Sequence, residues 1–173
     1  NIGQYTFKIS SNSFFQTNTK QSELLYKEIK NICDLKGDEV VYDLYCGTGS
    51  IGIYIAKHVK MVYGVEIVMD AVIDAIENAQ KNNIKNIQFF HGNLIDFFQK
   101  NQELQLIDKP DLVIVDPPRS GIHQNTLDSI VNFNPKKILY VSCNPSTQAR
   151  DISILGDSNY IIKDVQPIDM FPH

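Results

Sequence analysis

Val40-Val41-Tyr42-Asp43-Leu44-Tyr45-Cys46-Gly47-Thr48-Gly49-Ser50-Ile51-Gly52 decides the fold. Its first five residues are rich in β-formers and interrupted only by Asp43, which is the pattern of a strand buried on both faces. Gly47, Gly49 and Gly52 then satisfy G-x-G-x-x-G, and Ile51 to Val59 continues at helical spacing. Strand, glycine turn and helix in that order form a cradle in which backbone can approach a ligand closely. The bland reading is a tight strand-to-helix turn that needs only glycine's freedom.

Outward from this stretch, short β-rich runs alternate with helical ones. Strands are expected at Met61 to Val65, Ile87 to Phe90, Leu112 to Val115 and Ile138 to Val141. Helices are expected at Ala71 to Lys81, Leu94 to Lys100, Asn125 to Phe133 and Thr147 to Leu155. Parallel strands require crossovers of this kind, so the predicted architecture is α/β, an open, doubly wound, mostly parallel Rossmann-like sheet. Upstream, Tyr5 to Ile9 alternates like a strand, and Thr17 or Asn18 caps a helix with apolar positions Leu24, Leu25, Ile29 and Ile32. A last strand is expected near Tyr160 to Val165.

The chain of 173 residues is read as one domain, 1–173, because its seven prolines and nine glycines are scattered rather than massed into a linker. No run approaches the roughly 20 apolar residues of a membrane span and no basic-then-apolar leader opens it, so a cytoplasmic location is expected. The chain begins at Asn1, directly in a strand pattern, and reads as a fragment of a longer protein. Cys33, Cys46 and Cys143 are odd in number and widely spaced, which supports neither a disulfide framework nor a zinc site. A net charge of −4 supplies no general attraction for nucleic acid.

Ligands of doubly wound sheets bind beyond the carboxyl ends of the strands, and the unusual residues fall there. Glu66 ends the second strand, about 20 residues past the first glycine, where a carboxylate accepts ribose hydroxyls. NAD and S-adenosylmethionine share that ribose, so an NAD-dependent oxidoreductase competes at this point. The loop from Asp43 to Gly49 resembles the first motif of class I S-adenosylmethionine-dependent methyltransferases. The fourth strand delivers Asp116-Pro117-Pro118-Arg119-Ser120-Gly121, a loop stiffened by paired prolines and suited to holding a flat base. Methyltransferases of the amino groups of adenine and cytosine carry a related loop with an aromatic where Arg119 stands. The fifth strand ends in Val141-Ser142-Cys143-Asn144-Pro145, which places a thiol in a proline-broken turn rather than in the core.

Together with Phe14-Phe15-Gln16-Thr17-Asn18 and Gly92-Asn93, these motifs resemble the uracil-5 RNA methyltransferases that act on 23S ribosomal RNA and on transfer RNA. The resemblance runs over nearly the whole chain. It implies a class I methyltransferase fold, S-adenosyl-L-methionine as cofactor, an RNA substrate and no metal. It further implies Gln16, Tyr45, Glu66 and Asp116 as cofactor contacts, with Ser50 and Asn93 as weaker candidates, and Cys143 as the nucleophile. Family members carry a proton-abstracting glutamate shortly after a Pro-His pair; here the chain stops at Phe171-Pro172-His173, and Asp169 is not at the matching position. An RNA-binding β-barrel before the catalytic domain, frequent in the family, is also outside this sequence.

The residue types suit the chemistry. Carbon 5 of uracil is a weak nucleophile, and a thiolate added at carbon 6 moves electron density onto carbon 5, splitting one hard step into easier ones. Arg119 is expected to aid by reaching Cys143 or the uracil O4, with a surface salt bridge as the plainer alternative. Two further readings stay open on residues alone: an exocyclic-amino methyltransferase, which needs no cysteine, and a binding module that keeps the cofactor fold without catalysis.

Overall fold

The computed structural model describes residues 1–10, 18–104 and 107–172. Five strands form one parallel sheet: β1 (Val40–Leu44), β2 (Met61–Glu66), β3 (Ile87–His91), β4 (Leu112–Val115) and β5 (Lys137–Tyr140). Their spatial order is β3-β2-β1-β4-β5. The helices are α1 (Thr19–Cys33), α2 (Ser50–Ile55), α3 (Met69–Lys81), α4 (Leu94–Leu104), α5 (Gln124–Phe133) and α6 (Pro145–Asp157), with a 3₁₀ turn at Ala56–His58. This is the Rossmann-like α/β arrangement expected from the alternation.

Burial explains why the central strands were legible. β1 and β4 are buried at every residue, whereas the edge strands β3 and β5 are largely not. Two apolar layers result. Val41, Ile53, Val62 and Ile114 pack on one face with α1, α2 and α3. Tyr42, Leu44, Val113, Leu127 and Ile130 pack on the other with α4, α5 and α6. The order reverses between β1 and β4: the chain runs from β1 outward to β2 and β3, then returns to β4 on β1's other side. That reversal opens a crevice at their carboxyl ends.

Three expectations are corrected. Tyr5 to Ile9 is not a strand; Ile2 and Tyr5 form an isolated bridge, and the following residues lie along α3. There the side chains of α3 and of its C-cap residue Asn82 replace a partner strand. Asn82 exchanges hydrogen bonds with the Thr6 backbone, Asn78 with that of Lys8, and Asp74 accepts from the Ser10 amide and hydroxyl. Helix positions i, i+4 and i+8 advance by about 6 Å per step, close to the two-residue step of extended chain, so the two ladders stay in register.

α1 is capped by Asn18, whose side chain accepts from the Gln21 amide, but its buried face is Ser22, Tyr26, Ile29 and Cys33, and Leu24 is exposed. Hydrogen bonds carry the polar members of that face: Ser22 Oγ donates to Asn18 O, and the Tyr26 hydroxyl meets Ser50 Oγ at 2.7 Å. Residues 160–165 form no strand. Ile161, Ile162 and Val165 are exposed because no strand among the described residues lies against them. No helix of the described residues is long and apolar enough to cross a membrane.

Candidate active site at the carboxyl ends of β1, β4 and β5

β1 feeds directly into the glycine loop. Tyr45 takes a positive φ of 60° there, unusual for a side chain of that size, and Gly49 takes 75°. A Cβ on Gly49 would stand 2.6 Å from Phe89 Cζ, so this position needs glycine for both its angle and its space. The loop is anchored by the Cys46 amide to Val65 O and by Asn78 Nδ2 to Thr48 O. Asn78 therefore joins the residue 6–10 segment to the glycine loop.

Three carboxylates face this loop. Glu66 Oε2 accepts from the Gly47 amide at 3.0 Å, and Oε1 accepts from the Ile67 and Val68 amides at 2.8 and 2.9 Å. Asp43 is fully enclosed, with Oδ2 accepting from the Gly52 amide at 2.9 Å. Its Oδ1 and the Thr48 hydroxyl are buried without a hydrogen-bond partner among the described residues. Burial, reinforced by Asp116 and Glu66, pushes the Asp43 carboxyl up to about 7. Asp116, half-buried just past the end of β4, is raised by burial to about 6. Its amide donates to Leu44 O at 3.4 Å, which ties it to β1. Such a cluster is matched to a ligand that brings positive charge.

Beside the loop lies a cleft of ≈ 320 Å³ whose lining includes Tyr45, Val65, Ile67, Asn93, His123 and Thr126. A second cavity of ≈ 290 Å³ shares Val65, Gly92 and Asn93 with it and continues between β3 and α4. Tyr45 thus lines the site, with its phenol raised by burial. The two weaker sequence candidates are already engaged. Ser50 is bonded to Tyr26, and Asn93 both accepts from the Asp96 amide and donates to its carboxylate. Gln16, together with Phe14, Phe15 and Thr17, lies outside the described residues.

Cys143 is the exposed thiol of the three. Burial pushes the Cys33 thiol up to about 12 and holds that of Cys46 well above its usual range, so neither supplies a thiolate. The residues after Cys143 begin α6 in a recognisable way: Asn144 caps it by accepting from the Ser146 amide, and Pro145 occupies the first turn. The same Asn144 donates through Nδ2 to the Arg119 carbonyl at 3.0 Å, and Thr147 Oγ1 lies 3.2 Å from that oxygen. The cysteine loop and the acid-proline loop are therefore stitched together. Arg119 is exposed, and among the described residues no carboxylate is paired with it.

A model of the family described as tRNA (Uracil-5-)-methyltransferase matches residues 2–173. The chain belongs to the tRNA (uracil-5-)-methyltransferase family. It is 44% identical over 171 residues to a protein of Chlorobaculum tepidum named as an uncharacterized RNA methyltransferase, covering 99% of this chain and 35% of that protein. A protein of the same description from Caldanaerobacter subterraneus subsp. tengcongensis is 47% identical over 167 residues, covering 96% of this chain and 36% of its relative. The chain thus spans about a third of the length of these family members. Among solved structures, the Pyrococcus abyssi tRNA (uracil-54, C5)-methyltransferase in complex with S-adenosyl-L-homocysteine superposes with a TM-score of 0.81 at 34% identity, over 99% of this chain and 40% of that one. A precorrin-6y C5,15-methyltransferase from Geobacter metallireducens shares the fold, at a TM-score of 0.70 and 15% identity.

Sequence reading missed the side chains that join the cysteine loop to the acid-proline loop: Asn144, Thr147, Arg150, Asp151 and Tyr140. Only Asn144 carried a signal, as the polar residue before a proline that opens a helix.

Proposed function

We propose that the protein transfers the methyl group of S-adenosyl-L-methionine to carbon 5 of a uracil in RNA, with Cys143 as the covalent nucleophile. The observation that carries this reading is the stitch between the loops, Asn144 Nδ2 to the Arg119 carbonyl at 3.0 Å, which keeps an exposed thiol beside the acid-proline loop at the mouth of an acidic crevice. The solved relative from Pyrococcus abyssi, named as acting on uracil-54 of tRNA, supports the same substrate class.

The residues fit the cofactor. Its sulfonium and ammonium groups match the negative charge of Asp43 and Asp116, Glu66 serves the ribose, and Tyr45 lines the cleft that takes the nucleoside. Gln16 joins them on the family resemblance. A carboxylate offers about four lone-pair positions, and three on Glu66 are occupied by backbone amides. Glu66 therefore takes one ribose hydroxyl on Oε2 in this arrangement; taking both would displace the Gly47 amide. When bound, the cofactor supplies the electrophilic methyl.

The protein's own part is nucleophilic. The Cys143 thiolate adds to carbon 6, forming a carbon–sulfur bond and an enolate with density on carbon 5. After carbon 5 has gained the methyl, its proton leaves to a base, the double bond returns and the thiolate is expelled. Arg119, unpaired among the described residues, is placed to stabilise the enolate oxygen through its fork of donors.

The product distinguishes this from amino-group methylation. RNA incubated with the complete protein and labelled cofactor, then digested to nucleosides, should carry its label in 5-methyluridine. Label in a methylated amino group of adenosine or cytidine would contradict the proposal.

A further inference from the structure

We propose that Asp151, acting with Arg150, is a positioning residue for the methylation step: it clamps the Arg119–Ile122 loop onto α6 and so sets the separation between the Cys143 thiol and the acid-proline loop. This deepens the function proposed above and rests on Cys143 being the nucleophile.

Asp151 is wholly buried, and all of its acceptor capacity is in use. Oδ2 accepts from the Ile122 amide and from the Tyr140 hydroxyl, both at 2.7 Å. Oδ1 accepts from Arg150 Nε at 2.8 Å and Nη2 at 2.6 Å. Arg150 Nη2 also reaches Ser120 O at 3.1 Å and Ile122 O at 3.4 Å. One carboxylate thereby joins the last residue of β5, helix α6 and the loop that follows Asp116.

The spacing along α6 makes this a continuous grip. Asn144, Thr147 and Asp151 recur at intervals of three and four, so they share one helix face. Together with Arg150 they meet backbone groups on three of the four residues of one loop: Arg119 O, Ser120 O, and the Ile122 amide and carbonyl. Gly121 lies at the centre with φ +78°, and a Cβ there would stand 2.5 Å from Arg150 Nη2 and 2.6 Å from Asp151 Oδ2. The close approach therefore depends on glycine at that position.

A buried carboxylate of this kind can serve stability alone. Two features point to positioning. The helix that makes the grip is capped by the residue next to the thiol, Asn144, and starts two residues after it, so its bonds connect the two reacting loops. None of these hydrogen bonds reaches the glycine loop, and Asp116 has its own tie to Leu44. Loosening the clamp should therefore affect the chemistry and spare cofactor binding.

The test uses the complete protein carrying Asp151→Asn, which sets an amide donor against donors, and separately Arg150→Ala. Arg150 is about half exposed, so this second variant should fold even if the first does not. S-adenosylmethionine affinity should stay within about twofold of wild type, and the saturated rate of methyl transfer should fall on the order of 10- to 100-fold, the cost of a misplacement near 1 Å. Folded variants that methylate at the wild-type saturated rate would overturn the clamp. So would an equal loss of cofactor affinity, which marks a general structural role. A Cys143→Ala protein that still transfers methyl would instead remove the nucleophile reading on which the clamp rests.

Discussion

The two flanks of the crevice are built by different means. On the β1–β2 flank the site is shaped by backbone: Glu66 is held by three amides, Asp43 by one, and Gly49 leaves no space for a side chain. On the β4–β5 flank an exposed thiol and an exposed arginine sit on loops that are joined by the polar side chains of α6. The first flank suits a ligand that must bind in one pose. The second suits a large substrate that arrives from solvent and reacts. A site divided in this way should lose binding and chemistry separately, and the following outcomes test that division.

The largest effect is expected on the reactive flank. Cys143→Ser should lower methyl transfer by roughly 10⁴-fold or more, because a hydroxyl is a far weaker nucleophile at neutral pH. Calorimetry should show cofactor binding unchanged, and a parallel loss of binding would break the division.

Gly49→Ala should destabilise the fold by about 2–4 kcal/mol, from the positive φ together with crowding against Phe89. Urea unfolding measures this directly. A stability close to wild type would show that the β1–β2 loop is more adaptable than its packing indicates.

Glu66→Ala should weaken S-adenosylmethionine by about 1.5–3 kcal/mol, as for charge-assisted hydrogen bonds to buried hydroxyls. Methyl transfer at saturating cofactor should be largely retained. Unchanged affinity would remove Glu66 from the ribose site.

A smaller effect follows from protons. The carboxyls of Asp116 and Asp43 are raised to about 6 and about 7, so both are partly neutral in the folded protein near these values. A cationic ligand favours their ionised forms, so its binding releases protons, and affinity should rise as pH passes upward through this window. Between pH 5.5 and pH 7.5 the gain should be about tenfold or less. Asp43→Asn should remove the upper part of the rise. A flat profile in the wild type would show that neither group is coupled to the cofactor.

The contrast between the flanks also governs what the sequence disclosed. The strand, the glycine loop, Glu66 and the Asp116-Pro117-Pro118 turn were legible because each depends on local pattern: buried strands, tight turns and a carboxylate at a strand end. The placement of Cys143 in a loop followed from the proline after Asn144. Asp151 and Arg150 were not legible, since their partners lie about 30 residues upstream and no local pattern marks a side chain that bonds to distant backbone. The same cause explains the misread strand at Tyr5 to Ile9, where Asn78, Asn82 and Asp74 take the place of a neighbouring strand. It explains the turned face of α1 as well, because hydrogen bonds let Ser22 and Tyr26 be buried in preference to Leu24. Asn93 shows the converse, a motif residue whose side chain is committed to capping α4 through Asp96.

The central claim is that Cys143 attacks the substrate base, and peptide mapping of a trapped adduct tests it most directly. An RNA substrate containing 5-fluorouridine cannot release the carbon 5 substituent as a proton, so the thiol addition is frozen after methyl transfer. Incubation with the complete protein and S-adenosylmethionine should yield a denaturation-resistant complex whose digest carries the modified nucleotide on the peptide containing Cys143. A complex mapping to Cys33 or Cys46, or methylation of uracil by the wild-type protein with no covalent complex, would contradict the account.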